Sequence, residues 1–312
     1  MYEQIARNKR RTVLYTALFV LLWLAVGAAV GDLVSAYSTA PQGSPAGHDV
    51  PAGIAVAAGL AVVAVLFTVQ SGTGLVLRVA GARLADPRRY PQLLHLVEAL
   101  ALGDGLPTPA VYVVDDPSPN AFAVGVSPAH AAVTVTSGLL AMMDREELEG
   151  VLAHELSHIK NYDTRLLLFV STLIGMAGLL AGMLWRTAFF TRSRGRSGAQ
   201  LTLIVIAAGT LLALIGFVLG PIIRLALSRR RESLADASGV ELCRNPEGLI
   251  SALRKLQAND RPLARLNQAT AAMCIDDPLR HHAGSLRRLF DTHPPLADRI
   301  AALERMARGL SV

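Results

Sequence analysis

The stretch that decides the fold is DREELEGVLAHELSHIK, residues 144–160. Asp144 and Glu147 have the spacing of a capping box, which predicts a helix that begins at the residue after Asp144. His154 and His158 are four residues apart, so they share one face of this helix. Two neutral imidazoles on one face can bind a single zinc ion. An apolar stripe at helical spacing predicts the buried face, and it consists of Leu148, Val151, Leu152, Leu156 and Ile159.

Glu155 follows the first histidine of this pattern directly. On the helix it lies between the histidine face and the apolar stripe, where its carboxylate can reach a water bound to the metal. Zinc lowers the pKa of such a water to about 7, so a carboxylate can accept its proton at neutral pH. The segment therefore predicts peptide hydrolysis by an activated water, without a covalent intermediate.

A catalytic zinc also requires a third protein ligand and an open position for water. Glu232 is the best candidate, because it would lie at the same membrane surface as the histidines if the last two apolar runs pair as a hairpin. Asp236 lies one helical turn further on, and it could accept a hydrogen bond from a ligand histidine. The alternative is that both carboxylates pair with the arginines at positions 229–231 in a solvated helix start.

The composition of the chain indicates a membrane protein. Of its 312 residues, 52% are hydrophobic and 17% are charged, whereas soluble globular chains have about 25% charged residues. A bilayer span needs about 20 mostly apolar residues, so three apolar runs qualify directly and the second qualifies with its flanks. Two runs precede the histidine helix and two follow it, at residues 13–30, 54–69, 166–184 and 201–223.

The positions of Lys and Arg predict the orientation in the membrane. The amino terminus is basic, the loop 31–51 contains neither residue type, and arginines follow the second run at positions 78, 83, 88 and 89. The first two runs are therefore expected to form a hairpin with both ends in the cytoplasm. The loop between the last two runs contains arginines at positions 186, 192, 194 and 196, which the positive-inside rule disfavours in an external loop. The second hairpin is therefore expected either to cross the membrane fully despite this charge or to enter it only shallowly.

The fold class expected from these patterns is a mostly α-helical integral membrane protein with about four transmembrane helices. Its zincin-like α+β catalytic part is expected to contain a small β-sheet, from the β-rich runs 110–115, 120–126 and 131–136. Four domains are predicted: a transmembrane hairpin, a catalytic region with the sheet and the histidine helix, a second hairpin, and a helical catalytic region with Glu232. Their bounds are 1–77, 78–164, 165–223 and 224–312.

Four segments together resemble a known family. They are His154-Glu155-Leu156-Ser157-His158, Arg230-Arg231-Glu232-Ser233-Leu234-Ala235-Asp236, Pro119-Asn120-Ala121-Phe122-Ala123 and Thr292-His293-Pro294-Pro295. The chain is similar over nearly its whole length to the HtpX-type membrane zinc metallopeptidases, relatives of the CAAX prenyl protease.

The resemblance implies one zinc ion per chain, bound by His154, His158 and Glu232, with Glu155 as the general base. It also implies a cytoplasm-facing catalytic part in the plasma membrane. The implied activity is ATP-independent proteolysis of damaged or misfolded membrane proteins.

Two further roles combine this resemblance with chemistry. The segment Asn120, Ala121, Phe122 and Ala123 is expected to form a strand. A strand edge beside the zinc could pair with an extended substrate backbone, and the Asn120 side chain could donate or accept hydrogen bonds with the substrate. An ordinary strand that leaves a proline turn is the alternative. His293 is a candidate hydrogen-bond donor to the oxyanion at the scissile carbonyl, and a rigid helix start before two prolines is the alternative.

Other function classes fit the sequence less well. Aromatic residues make up only 5% of the chain and the basic residues cluster beside apolar runs, which disfavours nucleic-acid binding. An intramembrane metalloprotease would place the histidines within an apolar span, but charged residues at 144–147 and 149 precede them here. A prenyl-protein protease is expected to have more spans, and an inactive scaffold is expected to lack Glu155 or a ligand.

Overall fold

The computed structural model describes residues 2–37, 49–190, 199, 202–214, 229–259 and 295–309. The chain divides into two compact units. The apolar unit consists of Arg11–Gln70 and Phe169–Ile222. The sheet unit consists of Met1–Arg10, Ser71–Leu168 and Ile223–Val312.

Among the described residues, three helices are long and apolar enough to cross a membrane. They are α1 (Tyr2–Tyr37), α2 (Asp49–Val79) and α6 (Asp163–Phe190), and they contain the first three apolar runs. Within the fourth run the structure describes a shorter apolar helix, α7 (Thr202–Leu214). The arginines at 192, 194 and 196 and the end of the fourth run lie outside the described residues. The multi-pass membrane character expected from composition is therefore confirmed, with three candidate spans in the described part of the chain.

Small and polar residues hold the helices of the apolar unit together. A Cβ atom added at Gly53 of α2 would lie 2.2 Å from the backbone oxygen of Gly27 of α1, so the two backbones touch at this point. The hydroxyls of Thr68 on α2 and Thr172 on α6 are 3.0 Å apart. In a bilayer, such close backbone approach and interhelical hydrogen bonds replace the hydrophobic effect as the source of association.

The sheet unit contains one small mixed sheet, as the sequence predicts. Its strands are β1 (Arg83–Leu84), β2 (Ala110–Val114), β3 (Ala121–Gly125) and β4 (Ala131–Thr136). Their order is β1-β2-β4-β3, with β2 and β4 parallel and the other two pairs antiparallel. Strand β3 therefore lies at one edge of the sheet, where it packs against a helix of the core.

Seven further α-helices lie in the described part of the chain. Besides α7 they are α3 (Pro91–Gly103), α4 (Ser137–Met142), α5 (Arg145–Lys160), α8 (Arg229–Cys243), α9 (Pro246–Gln257) and α10 (Leu296–Ala307). Helix α5 packs against α8, α9 and β3, so it lies at the centre of the unit. All five members of its predicted apolar stripe are buried, which confirms the helical spacing read from the sequence.

Candidate active site

Helix α5 begins where the capping box predicts. The Asp144 side chain accepts a hydrogen bond from the Glu147 backbone at 2.9 Å, and the Glu147 side chain accepts one from the Asp144 backbone at 2.9 Å. These bonds satisfy two of the donors that a helix leaves open at its first turn. These bonds fix the start of the helix at Asp144 and Glu147, and His154 further along the helix is buried.

Three metal-binding side chains converge on this face. Nε2 of His154 and Nε2 of His158 are 3.2 Å apart, and each lies 3.7 Å from a carboxylate oxygen of Glu232. All three ligand atoms lie within 4.8 Å of one another. Tetrahedral zinc with Zn–N bonds of 2.0–2.1 Å separates two ligand nitrogens by about 3.3 Å, so the histidine pair fits this ion and Glu232 stands slightly wide of it.

Helix α8, which carries Glu232 and Asp236, packs closely against α5. A Cβ atom added at Gly239 would lie 3.0 Å from the backbone nitrogen of His154, a contact tighter than side chains usually make, so the glycine allows a close approach of the two backbones. Glu232 and Asp236, one turn apart on α8, are both buried.

Asp236 lies beside the first histidine of the pair. Its Oδ1 is 2.9 Å from Nδ1 of His154, the ring nitrogen that faces away from Glu232. Burial alone would raise the pKa of Asp236, but the Arg299 guanidinium and the bond to His154 outweigh it and lower that pKa to about 2. Burial and the charge of Arg299 lower the pKa of His154 to about 4. The imidazole of His154 is therefore neutral at pH 7, the form that binds a metal.

Asp163 holds the second histidine in the same manner. Its Oδ2 lies 3.0 Å from Nδ1 of His158. Burial alone would lower the pKa of His158, but the hydrogen bond to Asp163 and the nearby Glu232 raise it to about 9. Both histidines thus place Nδ1 on a carboxylate, which leaves Nε2 as the nitrogen for a metal.

Arg299 on α10 lies beside both Glu232 and Asp236 of α8. It donates two hydrogen bonds to Asp236, from Nε at 2.9 Å and from Nη2 at 2.6 Å, and its Nη1 lies 3.8 Å from Glu232. In the described part of the chain, Asp236 therefore pairs with Arg299, which lies 63 positions further along the chain. Arg231 instead reaches Asp163, at 3.3 Å.

Glu155 is 1% exposed and lies directly after His154 on α5. Its negative charge contributes to the raised pKa values of both His158 and Arg299, so the carboxylate is close to the metal-binding group. This is the region from which a proton acceptor must act on a water bound at the open position of a zinc site.

Ala121, Phe122 and Ala123 form the start of edge strand β3, which packs against α5, and Asn120 directly precedes the strand. Asn120 is buried, and its side-chain oxygen accepts a hydrogen bond from the Ala121 backbone at 2.8 Å. Its own N–H donates to the hydroxyl of Thr136 at 2.8 Å. The expected strand is confirmed, and its role in substrate binding stays a prediction. His293 lies outside the described residues.

Sequence reasoning missed Asp163 and Arg299. The signal for Arg299 is its place on the face of α10 that also carries Leu296, Ile300 and Leu303, where a lone charge among buried residues requires a partner. The signal for Asp163 is weaker, since it lies beyond the end of the histidine helix, at the start of an apolar run.

Comparisons with known proteins identify the family of the chain. Residues 87–307 match Peptidase family M48. The chain is 41% identical to a protease HtpX homolog of Lactobacillus helveticus over 312 residues, and 43% identical to that of Limosilactobacillus fermentum over 318 residues. The homolog of Streptococcus thermophilus is 42% identical over 316 residues. Each alignment covers 98% of this chain and 100% of the relative.

Among solved structures, the crystal structure of S. mikatae Ste24p superposes with a TM-score of 0.49 and 18% identity. The superposition covers 97% of this chain and 67% of Ste24p. The match over residues 87–307 and the full-length similarity to HtpX homologs show that the chain belongs to peptidase family M48, as an HtpX-type membrane metallopeptidase.

Proposed function

We propose that this protein is a zinc-dependent endopeptidase that hydrolyses misfolded or damaged membrane proteins at the cytoplasmic face of the plasma membrane. The observation that carries the proposal is the convergence of His154, His158 and Glu232, whose ligand atoms lie within 4.8 Å of one another. Two imidazoles and one carboxylate are the ligand set of catalytic rather than structural zinc sites, because they leave a fourth position for water.

In this mechanism His154, His158 and Glu232 would hold one zinc ion, which would supply an acidic water and act as a Lewis acid on the scissile carbonyl. Glu155 accepts the proton of the attacking water on its carboxylate and passes it to the leaving amine. Asp236 and Asp163 favour the tautomer of each imidazole that carries its proton on Nδ1 and leaves the lone pair on Nε2.

Substrate binding is proposed to use the edge of the sheet. Among the described strands, β3 pairs with β4 alone. The proposed binding mode is addition of an extended peptide to the other side of β3, along Asn120, Ala121, Phe122 and Ala123. This mode reads the substrate backbone rather than its side chains, which suits an enzyme that takes many unfolded polypeptides. His293 is retained as the proposed oxyanion donor.

The proposed function also requires that the sheet unit faces the cytoplasm. The basic amino terminus and the arginines after α2 favour a cytoplasmic sheet unit, by the positive-inside rule. The four-domain division at residues 77, 164 and 223 is kept as a proposal on the same basis. The exposed charged residues Asp144, Arg145 and Glu146 at the start of α5 support cleavage outside the bilayer rather than within it.

The test is cleavage of casein and of a model membrane protein by detergent-purified protein, with zinc content measured for each variant. Glu155→Gln removes the proposed base, and Glu149→Gln, on the same helix, is the matched control. Wild type and Glu149→Gln are expected to hold about one zinc and to cleave, whereas Glu155→Gln is expected to hold zinc and to be inactive.

Each departure from this result identifies the part of the proposal that fails. Equal cleavage by all three proteins would show that Glu155 is not the base. Wild-type protein that binds no zinc under metal-replete conditions would overturn the metal assignment. A zinc-loaded wild type that cleaves prenylated peptides but neither protein substrate would overturn the proposed substrate class and favour a prenyl-protein protease. Zinc binding without cleavage of any of these would favour an inactive scaffold.

A further inference from the structure

The amino-terminal segment contains one buried side chain among exposed basic ones. Asn8 is 0% exposed, although Arg7, Lys9 and Arg10 around it on α1 are exposed. The sequence contains no motif here that suggests a function. A polar amide is costly to bury unless it forms hydrogen bonds, so the burial of Asn8 requires partners elsewhere in the fold.

The partners of Asn8 lie at the end of the histidine helix. Its Nδ2 donates to Oδ1 of Asp163 at 2.7 Å and to the backbone oxygen of Asn161 at 2.8 Å. Both hydrogens of the amide are therefore used, and both acceptors are buried. The contacts join residues more than 150 positions apart, so they are a product of the tertiary fold.

The two oxygens of Asp163 have separate tasks. Oδ1 receives the amide of Asn8 and, at 3.3 Å, Nη1 of Arg231, whereas Oδ2 faces Nδ1 of His158 at 3.0 Å. Fixing Oδ1 from two directions determines the plane of the carboxylate. The position of Oδ2, and with it the orientation of the His158 ring, follows from that plane.

The same segment also secures the turn that carries Asp163. Tyr162 has a φ of 59°, a left-handed conformation that a side chain of this size rarely adopts. The ammonium of Lys9 lies 4.3 Å from the centre of the Tyr162 ring, a cation–π contact. The first turns of α1 thus contact residues 161, 162 and 163 in succession.

We propose that Asn8 is a positioning residue of the metal centre, which holds Asp163 so that His158 presents Nε2 to the zinc ion. This inference rests on the proposed function, since it requires that zinc binds at His158. The start of the first membrane helix is then part of the active site, and a change there weakens zinc binding without touching any ligand.

The experiment measures the zinc dissociation constant of the full-length, detergent-purified protein by chelator competition. Asn8→Ala removes the amide, Asn8→Leu removes it while keeping the volume, and Arg10→Ala is the control on an exposed position of the same helix. Both Asn8 variants are expected to weaken zinc binding about tenfold, the lower end of the range for groups that orient metal ligands. Arg10→Ala is expected to stay within about twofold of wild type, as a surface change.

A double-mutant cycle separates positioning from a general loss of stability. If Asn8 acts through Asp163, then Asn8→Ala combined with Asp163→Ala binds zinc no more weakly than Asp163→Ala alone. Losses that multiply in the double variant would overturn the proposal, and so would wild-type affinity in both Asn8 variants. A wild type that binds no zinc would instead overturn the proposed function, and this inference with it.

Discussion

Arg299 donates two hydrogen bonds to Asp236, and the Oδ1 atom that receives one of them also lies 2.9 Å from Nδ1 of His154. All three side chains are almost fully buried. A helix near the carboxyl end of the chain therefore reaches the metal-binding group, both through Asp236 and through the approach of Arg299 to Glu232 at 3.8 Å. The charge of Arg299 balances that of Asp236, whose carboxylate would otherwise be buried as a bare anion.

Replacing Arg299 by Met tests this relationship. Asp236 would be left as an unpaired buried charge, and breaking a buried pair in this way costs about 3–5 kcal/mol of unfolding free energy. Arg299→Lys keeps the charge but cannot form the two-point contact, so an intermediate loss is expected. Thermal denaturation with and without zinc measures both. Arg305→Met, on an exposed part of the same helix, is the control, and an equal loss in that variant would contradict the assigned role.

Gly239→Ala tests the spacing between α5 and α8. The added methyl would lie 3.0 Å from N and 3.2 Å from Cα of His154, so the two backbones must separate. Overpacking of this kind costs about 1–3 kcal/mol, and here it also moves Glu232 away from the histidines. We expect a lower melting temperature and weaker zinc binding, measured on the same protein preparation.

The control for this change is Gly103→Ala at the end of α3. A Cβ atom there meets only a flexible side-chain atom of Leu242, at 3.6 Å, so little effect on zinc is expected. If Gly239→Ala bound zinc as tightly as Gly103→Ala, the close approach would not be what determines the ligand geometry.

Zinc binding is expected to release a proton from His158. Its pKa in the metal-free protein is raised to about 9, and only the neutral imidazole binds zinc, so the apparent affinity should fall about tenfold per pH unit below 9. Calorimetry in buffers of different ionisation enthalpy counts the protons. Binding at pH 7 without proton release would contradict the raised pKa.

The same shift determines how the metal-free protein responds to pH. The pKa of His158 is raised from an ordinary value of 6.5, so its charge stabilises the fold fully below about 6.5. This contribution is lost as the pH rises through about 9. In zinc-loaded protein it should be absent, because the metal replaces the proton. Melting temperatures of both forms between pH 6 and pH 10 measure the difference.

Some parts of the fold and the site could be predicted from local sequence patterns, whereas others required an assumption about tertiary packing. The histidine helix, its capping box and its buried face were predictable because all three depend on spacings of three and four residues. The apolar runs were predictable from composition alone, and the three that the structure describes throughout are helices of sufficient length. Glu232 required one step more, an assumed pairing of two apolar runs, and the structure does bring it to the histidines.

The sequence by itself thus determined the membrane character, the metal-binding helix and the family resemblance, since each is written in local periodicity or in short motifs. Tertiary structure alone decided which charged groups surround the ligands. Asn8 reaches Asp163 across 155 positions, and Arg299 lies beside Asp236 across 63. No local spacing encodes such contacts, because they arise only when separate helices pack and every buried polar group must find a partner. The order of the strands, with β3 at the edge, was decided in the same way.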